Sequence, residues 1–383
     1  VRICYFGTYS DQQGYPMNRV LLAGLKAAGA EVITCHERVF DDAADKMAGV
    51  GGPLSALGRA WRLGIAWLRL IRRFAALPDY DLLVVGYVGH LDIFLARFLS
   101  LFRRRPVVLN ALVSLHDTVV IDRKLVAKKS VTARALMWLD RTAFRLADRI
   151  LIDTHAHAAY LSKTFDVPRD KWLRVPVGAD PEGLPDRPPA LPDGKTPLTV
   201  LYFGTYIALH GVPIIVDAAR QLADRQDIRF VMLGRGQELE VIQESAADLA
   251  NMSFIPEWVD RPTLLAHIAA ADMVLGVFGA GGKGERVVPC KVYDGLAMGR
   301  PVITANSPAA REFFQMGIHA CLVPAGNSQA LARAIGQLAD DPASRTRLAA
   351  AGYGLFATLF DPQRIGEAVL EGLSPLLPEK PDA

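Results

Sequence analysis

A five-residue string occurs twice in this chain: Tyr5-Phe6-Gly7-Thr8-Tyr9 returns as Tyr202-Phe203-Gly204-Thr205-Tyr206. Each copy closes an apolar run with β character, at 1–6 and 198–203. Each is followed by a segment of helical periodicity, at about 17–28 and 212–223, and then by another apolar run, at 31–34 and 228–233. Strand, glycine turn, helix, strand is one βα unit of a parallel sheet, whose crossovers are right-handed. Two copies of such a beginning predict two sheets.

The alternation continues in both halves. Apolar runs at 82–86, 107–110 and 149–153 extend the first sheet, and runs at 252–255, 273–278, 301–305 and 319–323 extend the second. Helical patterns at 262–271, 290–298, 308–314 and 328–338 separate the latter set. The fold class read from this is α/β, with two facing Rossmann-like doubly wound domains. They span residues 1–180 and 181–359 and are joined by the proline-rich stretch 176–197. In open sheets of this kind, ligands bind outside the carboxyl ends of the strands.

Composition agrees with two folded domains. Hydrophobic residues make up 51% of 383 and charged ones 22%, which excludes disordered and collagen-like classes. The four cysteines, Cys4, Cys35, Cys290 and Cys321, have no paired spacing, so neither a disulfide framework nor a structural zinc site is expected. No run of about 18 uncharged apolar residues predicts a membrane span, and the first apolar run is too short for a signal peptide. The expectation is a cytoplasmic protein.

Charge is distributed unevenly. Residues 1–180 carry a net +9 and the remainder a net −6. Between Asp45 and Asp79 there is no acidic residue, whereas Arg59, Arg62, Arg69, Arg72 and Arg73 fall within an arc of roughly 140° on a helical wheel. Trp61, Trp67 and leucines occupy most of the rest, and a second basic, apolar run follows at 97–105. Arginines beside tryptophans on an amphipathic helix suit the interface of an anionic membrane, so these residues are the expected membrane contact. A core-packing helix with a solvated basic face gives a similar pattern. No nucleic-acid-binding motif accompanies the charge, so nucleic acid is not an expected partner.

The densest chemical signal lies at 278–304. Glycines at 279, 281, 282 and 284 precede a helix near Pro289, and Lys283, Arg286 and Lys291 supply three cations. Backbone amides freed by glycines, a helix N-terminus and cations make an anion site, and a diphosphate is the expected guest. Asp294, one turn on, has the chemistry to accept hydrogen bonds from a ribose diol. His90 and Asp92 follow an apolar run and either contact an acceptor or cap the next helix. Asp117 either orients His116 or caps a turn. His155 and His157 lack further metal ligands, and Gly234-Arg235-Gly236 fits a nucleotide-side loop only weakly. No carboxylate pair is spaced to hold a metal.

The run Val287–Thr304, with its Gly-Leu-Ala-Met-Gly-Arg-Pro-Val-Ile, resembles the donor-site helix of retaining glycosyltransferases of the GT-B fold, glycosyltransferase family 4 (group 1). Asp294 stands where that family's second motif glutamate bonds ribose hydroxyls, and Arg286 stands at the first glutamate's position. Arg286, Pro289 and Lys291 match the Arg-x-x-Pro-x-Lys pattern of some subgroups. Gly204, Thr205 and His210-Gly211 are similar to the strand-loop that ends in Lys-Gly and contacts the diphosphate, with histidine in place of lysine. Gly14 matches a glycine loop near the donor phosphates, and His116 resembles the histidine beside the transferred sugar.

The resemblance implies a metal-independent hexosyltransferase without cofactor, using a nucleoside diphosphate sugar as donor and retaining anomeric configuration. It also implies a terminal helix, at about 360–375, that packs back on the first domain. Together with the basic helix it points to a membrane-associated acceptor, a polyprenyl-diphosphate-linked saccharide or lipid, used at the inner face of the cell membrane in cell-surface polysaccharide assembly. A nucleotide-sugar 2-epimerase of the same architecture and a non-catalytic partner subunit are the alternatives. Isomerised nucleotide sugar would mark the first, and absence of nucleotide binding the second.

Overall fold

A computed structural model of the chain describes residues 1–10, 16–39, 53–192 and 197–377; Gly14 and the side chain of Arg59 lie outside the described part. The described chain forms two compact units, Val1–Pro176 with Pro362–Ala383, and Val177–Asp361.

The first unit holds six parallel strands: β1 (Arg2–Gly7), β2 (Glu31–His36), β3 (Leu82–Val85), β4 (Val107–Asn110), β5 (Arg149–Ile152) and β6 (Trp172–Arg174). They lie in the order β2-β1-β3-β4-β5-β6. The middle strands are short and wholly buried, as the continuous runs Leu-Leu-Val-Val and Val-Val-Leu-Asn require when helices cover both faces. One face carries helices Pro53–Ala75, Asp92–Arg103, Val131–Leu146 and His155–Phe165 on a core that includes Leu70, Phe74, Ile93, Leu99 and Phe144. The other face carries helix Met17–Ala27 and, packed along it, the terminal helix Pro362–Leu373, through Val20, Leu21, Leu25, Ile365, Val369 and Leu373.

The second unit repeats the plan with β7 (Leu198–Phe203), β8 (Ile228–Leu233), β9 (Met252–Ile255), β10 (Met273–Leu275), β11 (Val302–Ala305) and β12 (Cys321–Val323), all parallel, in the order β12-β11-β10-β7-β8-β9. Chain direction across the sheet therefore switches between β7 and β10, and in the first unit between β1 and β3. The repeated string performs the same task in both sheets. Gly7 and Gly204 leave β1 and β7 with φ of 122° and 131°, a region open to glycine and closed to side chains with a Cβ. The two tyrosines of each copy then pack edge to face, Tyr5 on Tyr9 at 4.9 Å and Tyr202 on Tyr206 at 5.6 Å.

The stretch 177–192, expected to be linker, is fastened to the second unit. Arg300 is fully buried and donates to the carbonyls of Met298, Ala269, Ala271, Pro189 and Ala190. Arg261 does likewise for Asp180 and Glu182.

Candidate functional site

At the switch point of the second sheet, the carboxyl ends of β7 and β10 bring together residues with anion-binding chemistry. From Gly204 the chain passes through Thr205 to the turn Ala208–His210 and into helix Val212–Gln221. The run 276–278, expected to prolong β10, leaves the sheet instead: Phe278 N–H donates to the His210 carbonyl at 2.9 Å, which lays the glycine-rich loop on that turn. Lys283 lies in the helical turn Gly282–Glu285, and Arg286 N–H donates to its carbonyl at 2.9 Å; both side chains are half-buried.

Lys291 comes up from the first turn of helix Cys290–Ala297 and is only 5% exposed. Its Nζ sits 3.9 Å from the centroid of the Tyr202 ring and 3.4 Å from His210 Nδ1. Among the described residues no carboxylate pairs with it, and burial holds the ammonium well below its ordinary pKa. His210 Nδ1 is 2.5 Å from the Thr205 carbonyl, an approach that assigns the proton to Nδ1; Tyr202 OH donates to the same carbonyl at 2.9 Å. Burial, and next the Lys291 charge, push the His210 imidazole well below its usual range. Two basic nitrogens held side by side without a counter-charge are arranged for an anion. The Gly234-Arg235-Gly236 loop has a packing role here: a side chain at Gly234 would overlap the Gly204 carbonyl, and Tyr206 N–H donates to the Arg235 carbonyl at 2.9 Å.

Asp294 lies one turn beyond Lys291. Its Oδ1 is 2.9 Å from Arg261 Nη2, and both side chains are under a tenth exposed. Burial raises the Asp294 pKa and Arg261 pulls it back. Sequence reading missed Arg261. Asp260-Arg261-Pro262 marks the start of helix Arg261–Ala269, with Asp260 capping the Thr263 N–H, but nothing local names a partner 33 residues away.

The first unit collects a second cluster past β4. Asp140, fully buried on helix Val131–Leu146, receives Ser114 Oγ at 2.6 Å, His116 N–H at 2.8 Å and Leu115 N–H at 3.2 Å. Burial pushes its carboxyl up to about 7 despite these donors. Asp140 thereby holds the backbone that carries His116, whose half-buried imidazole is lowered in pKa by burial and raised again by Asp117.

The three acceptor candidates, His90, Asp92 and Asp117, are buried and bonded within the same unit. His90 packs on Phe144 and lies 3.1 Å from the Val113 carbonyl. Asp117 accepts from Tyr160 OH at 2.9 Å. Asp92 accepts from Thr8 N–H and Oγ1 at 2.7 and 2.8 Å and from Trp67 Nε1 at 3.0 Å, tying the end of β1 to two helices. A buried carboxylate needs that many donors, and spacing in sequence did not reveal them.

Helix Pro53–Ala75 buries Ala66, Leu70 and Phe74, one residue per turn. Three expected membrane contacts are engaged by the protein. Trp67 faces the core; Arg73 pairs with Glu37 at 2.8 Å, and Arg69 lies 3.7 Å from the same carboxylate. Trp61 (72% exposed), Leu68, Ile71, Arg62 and Arg72 remain outside, and Phe98, Leu101 and Phe102 are exposed on the neighbouring helix Asp92–Arg103. Arg103 joins the two helices by donating to the carbonyls of Phe74, Leu77 and Pro78. Among the described residues no helix is long and apolar enough to cross a membrane, and no group of three or more His, Cys, Asp or Glu is placed to hold a metal.

Comparison with known proteins divides the chain in the same way. The model of the glycosyl transferase 4-like domain matches residues 17–178, and that of glycosyl transferases group 1 matches residues 197–341. The chain belongs to the group 1 glycosyltransferases, family 4. Phosphatidyl-myo-inositol mannosyltransferase of Mycobacterium leprae is 27% identical over 182 residues, 47% of this chain and 47% of that protein. The lipopolysaccharide core biosynthesis glycosyltransferase LpsE of Rhizobium meliloti is 27% identical over 186 residues, 48% and 50% of the two chains. The match thus spans about half the length of these curated relatives. Among solved structures, Anabaena HepE in complex with UDP-glucose aligns with a TM-score of 0.67 at 18% identity, over 98% of this chain and 99% of that one, which shows a shared GT-B fold. This chain carries His210-Gly211 after β7, Arg286 ahead of the helix that starts at Cys290, and Asp294 within that helix. Its structure gathers His210, Lys291 and Asp294 in one unit, on the turn after β7 and the helix that starts at Cys290.

Proposed function

We propose that this group 1 glycosyltransferase moves a hexose from a nucleoside diphosphate sugar to a membrane-associated, lipid-linked acceptor in cell-surface polysaccharide assembly. The transfer retains anomeric configuration and uses neither metal nor cofactor, and the protein works at the cytoplasmic face of the membrane. The observation that carries this reading is Lys291, a buried lysine at the carboxyl ends of the strands that pairs with no carboxylate among the described residues. HepE, which shares the fold, is solved with UDP-glucose, and the two named relatives act in phosphatidyl-inositol mannosylation and lipopolysaccharide core synthesis; both facts favour the same reading.

Departure of the sugar builds negative charge on the β-phosphate. Lys291 and His210, with the amides of the glycine loop and the cations Lys283 and Arg286, stabilise that charge, and fixed donors of this kind supply a large part of the rate. Asp294 accepts from the ribose diol with the carboxylate edge that Arg261 does not take. His116, held by Asp140, orients the transferred sugar, and the departing phosphate removes the proton of the acceptor hydroxyl. Arg62, Arg72 and Trp61 bring the chain to anionic lipid. A thermal-shift screen with UDP, GDP, ADP and dTDP in a metal chelator tests the donor half. Stabilisation by one of them is expected, and none by any would defeat the proposal.

A further inference from the structure

We infer that a nucleoside diphosphate draws a proton onto the Lys291–His210 pair as it binds, so that donor recognition in this protein is coupled to proton uptake. The inference rests on the donor-site reading above. Lys291 Nζ and His210 Nδ1 lie 3.4 Å apart, and the imidazole is fixed in that position by its 2.5 Å contact with the Thr205 carbonyl. Two positive charges at this distance repel strongly away from bulk water, and among the described residues no carboxylate pairs with either nitrogen to offset them.

The other groups around the pair do not relieve that repulsion. Tyr202, under the ammonium, is a phenol whose hydroxyl lies 2.9 Å from both the Thr205 carbonyl and His210 Nδ1 and brings no charge, since burial holds both Tyr202 and Tyr206 neutral. Cys290, on the same helix, stays a thiol because burial pushes it up to about 12. Asp294, one turn on, is already matched by Arg261. Glu238 is felt by Tyr202 and not by the two nitrogens, and neither Lys283 nor Arg286 in the adjoining loop acts on them. Without an anion, then, the pair carries less than its full charge near neutral pH.

A diphosphate changes the balance. Its charge beside both nitrogens favours the protonated form of each. A histidine responds where a second lysine would respond less, because its unperturbed pKa of about 6.5 lies close to the working pH. With Nδ1–H committed to the Thr205 carbonyl, the incoming proton goes to Nε2, which then donates to a phosphate oxygen.

The experiment is calorimetric titration with UDP, with GDP, ADP and dTDP run alongside, at about pH 8, where the terminal phosphate is fully ionised. Buffers of different ionisation enthalpy are compared. The slope of observed enthalpy on buffer enthalpy should give an uptake approaching about one proton per nucleotide. In His210→Gln, which should bind more weakly, the uptake should fall by at least half. The His210 imidazole nitrogen shifts, followed by NMR in the wild-type protein, should move from neutral to charged values as nucleotide is added. Binding with a buffer-independent enthalpy, or imidazole shifts that do not move, would overturn the inference while leaving the donor site intact. Binding by none of the four nucleotides would instead overturn the donor-site reading itself.

Discussion

Asp294→Ala separates two ways in which this residue can matter. If it served only the nucleotide, its loss would weaken binding and leave the fold alone. In the structure it is half of a buried pair, with Arg261 Nη2 at 2.9 Å and both side chains under a tenth exposed. Removing one partner of such a pair leaves the other charge uncompensated and costs about 3–5 kcal/mol. Arg261 keeps its bonds to the carbonyls of Asp180 and Glu182, so the lower end, about 3 kcal/mol, is expected. For a unit the size of Val177–Asp361, about 2–4 °C of melting temperature goes with each kcal/mol, which gives a fall of roughly 6–12 °C. Scanning calorimetry is the assay, because a two-unit protein need not melt in one step and the first unit serves as internal reference. Asp294→Asn keeps an acceptor for Nη2 and should lose about half as much. The double variant Asp294→Leu with Arg261→Met should recover most of the loss, since an apolar pair of similar volume often replaces a buried ion pair without penalty. If Asp294→Ala melted within about 2 °C of wild type, or if the double variant fell below both single ones, the pair would not be the stabilising element described here.

Other outcomes follow from the same reasoning. Arg300→Met strips donors from five carbonyls and should destabilise the second unit by about 4 kcal/mol, with proteolysis appearing between 183 and 192; a melt and a digest that match wild type would contradict this. Asp140, raised to about 7 in the fold against about 3.9 in the unfolded chain, keeps its proton natively at pH values where the unfolded chain has lost it. It therefore makes stability fall, by a few kcal/mol, as pH rises from about 4 to about 7 and has no further effect above that; Asp140→Asn should flatten the fall, and parallel stability curves would refute it. Arg62→Glu with Arg72→Glu and Trp61→Ser should release the protein from anionic vesicles in co-sedimentation without lowering its melting temperature. Trp67→Phe should do the reverse, because its indole N–H serves Asp92.

Much of the architecture could be read from local pattern. Apolar runs of four to six residues, the glycine after each first strand and the spacing of the helices are properties of neighbouring residues, and they gave both sheets and the repeated beginning. The phosphate-binding role proposed for 278–291 also rests on neighbouring residues, since glycines, cations and a helix start are adjacent in the chain. Tertiary structure decided which polar groups are spent on the protein itself. Thr8 and Trp67 hold Asp92 from 84 and 25 residues away, Tyr160 holds Asp117 from 43, and Asp140 reaches the His116 loop from 24. Folding also turned Trp67 inward and tied Arg69 and Arg73 to Glu37, which a helical wheel does not show. The reason is physical: strand and helix follow from the periodicity of burial, which a short window contains, whereas the partner of a buried charge is whichever donor the topology carries to it.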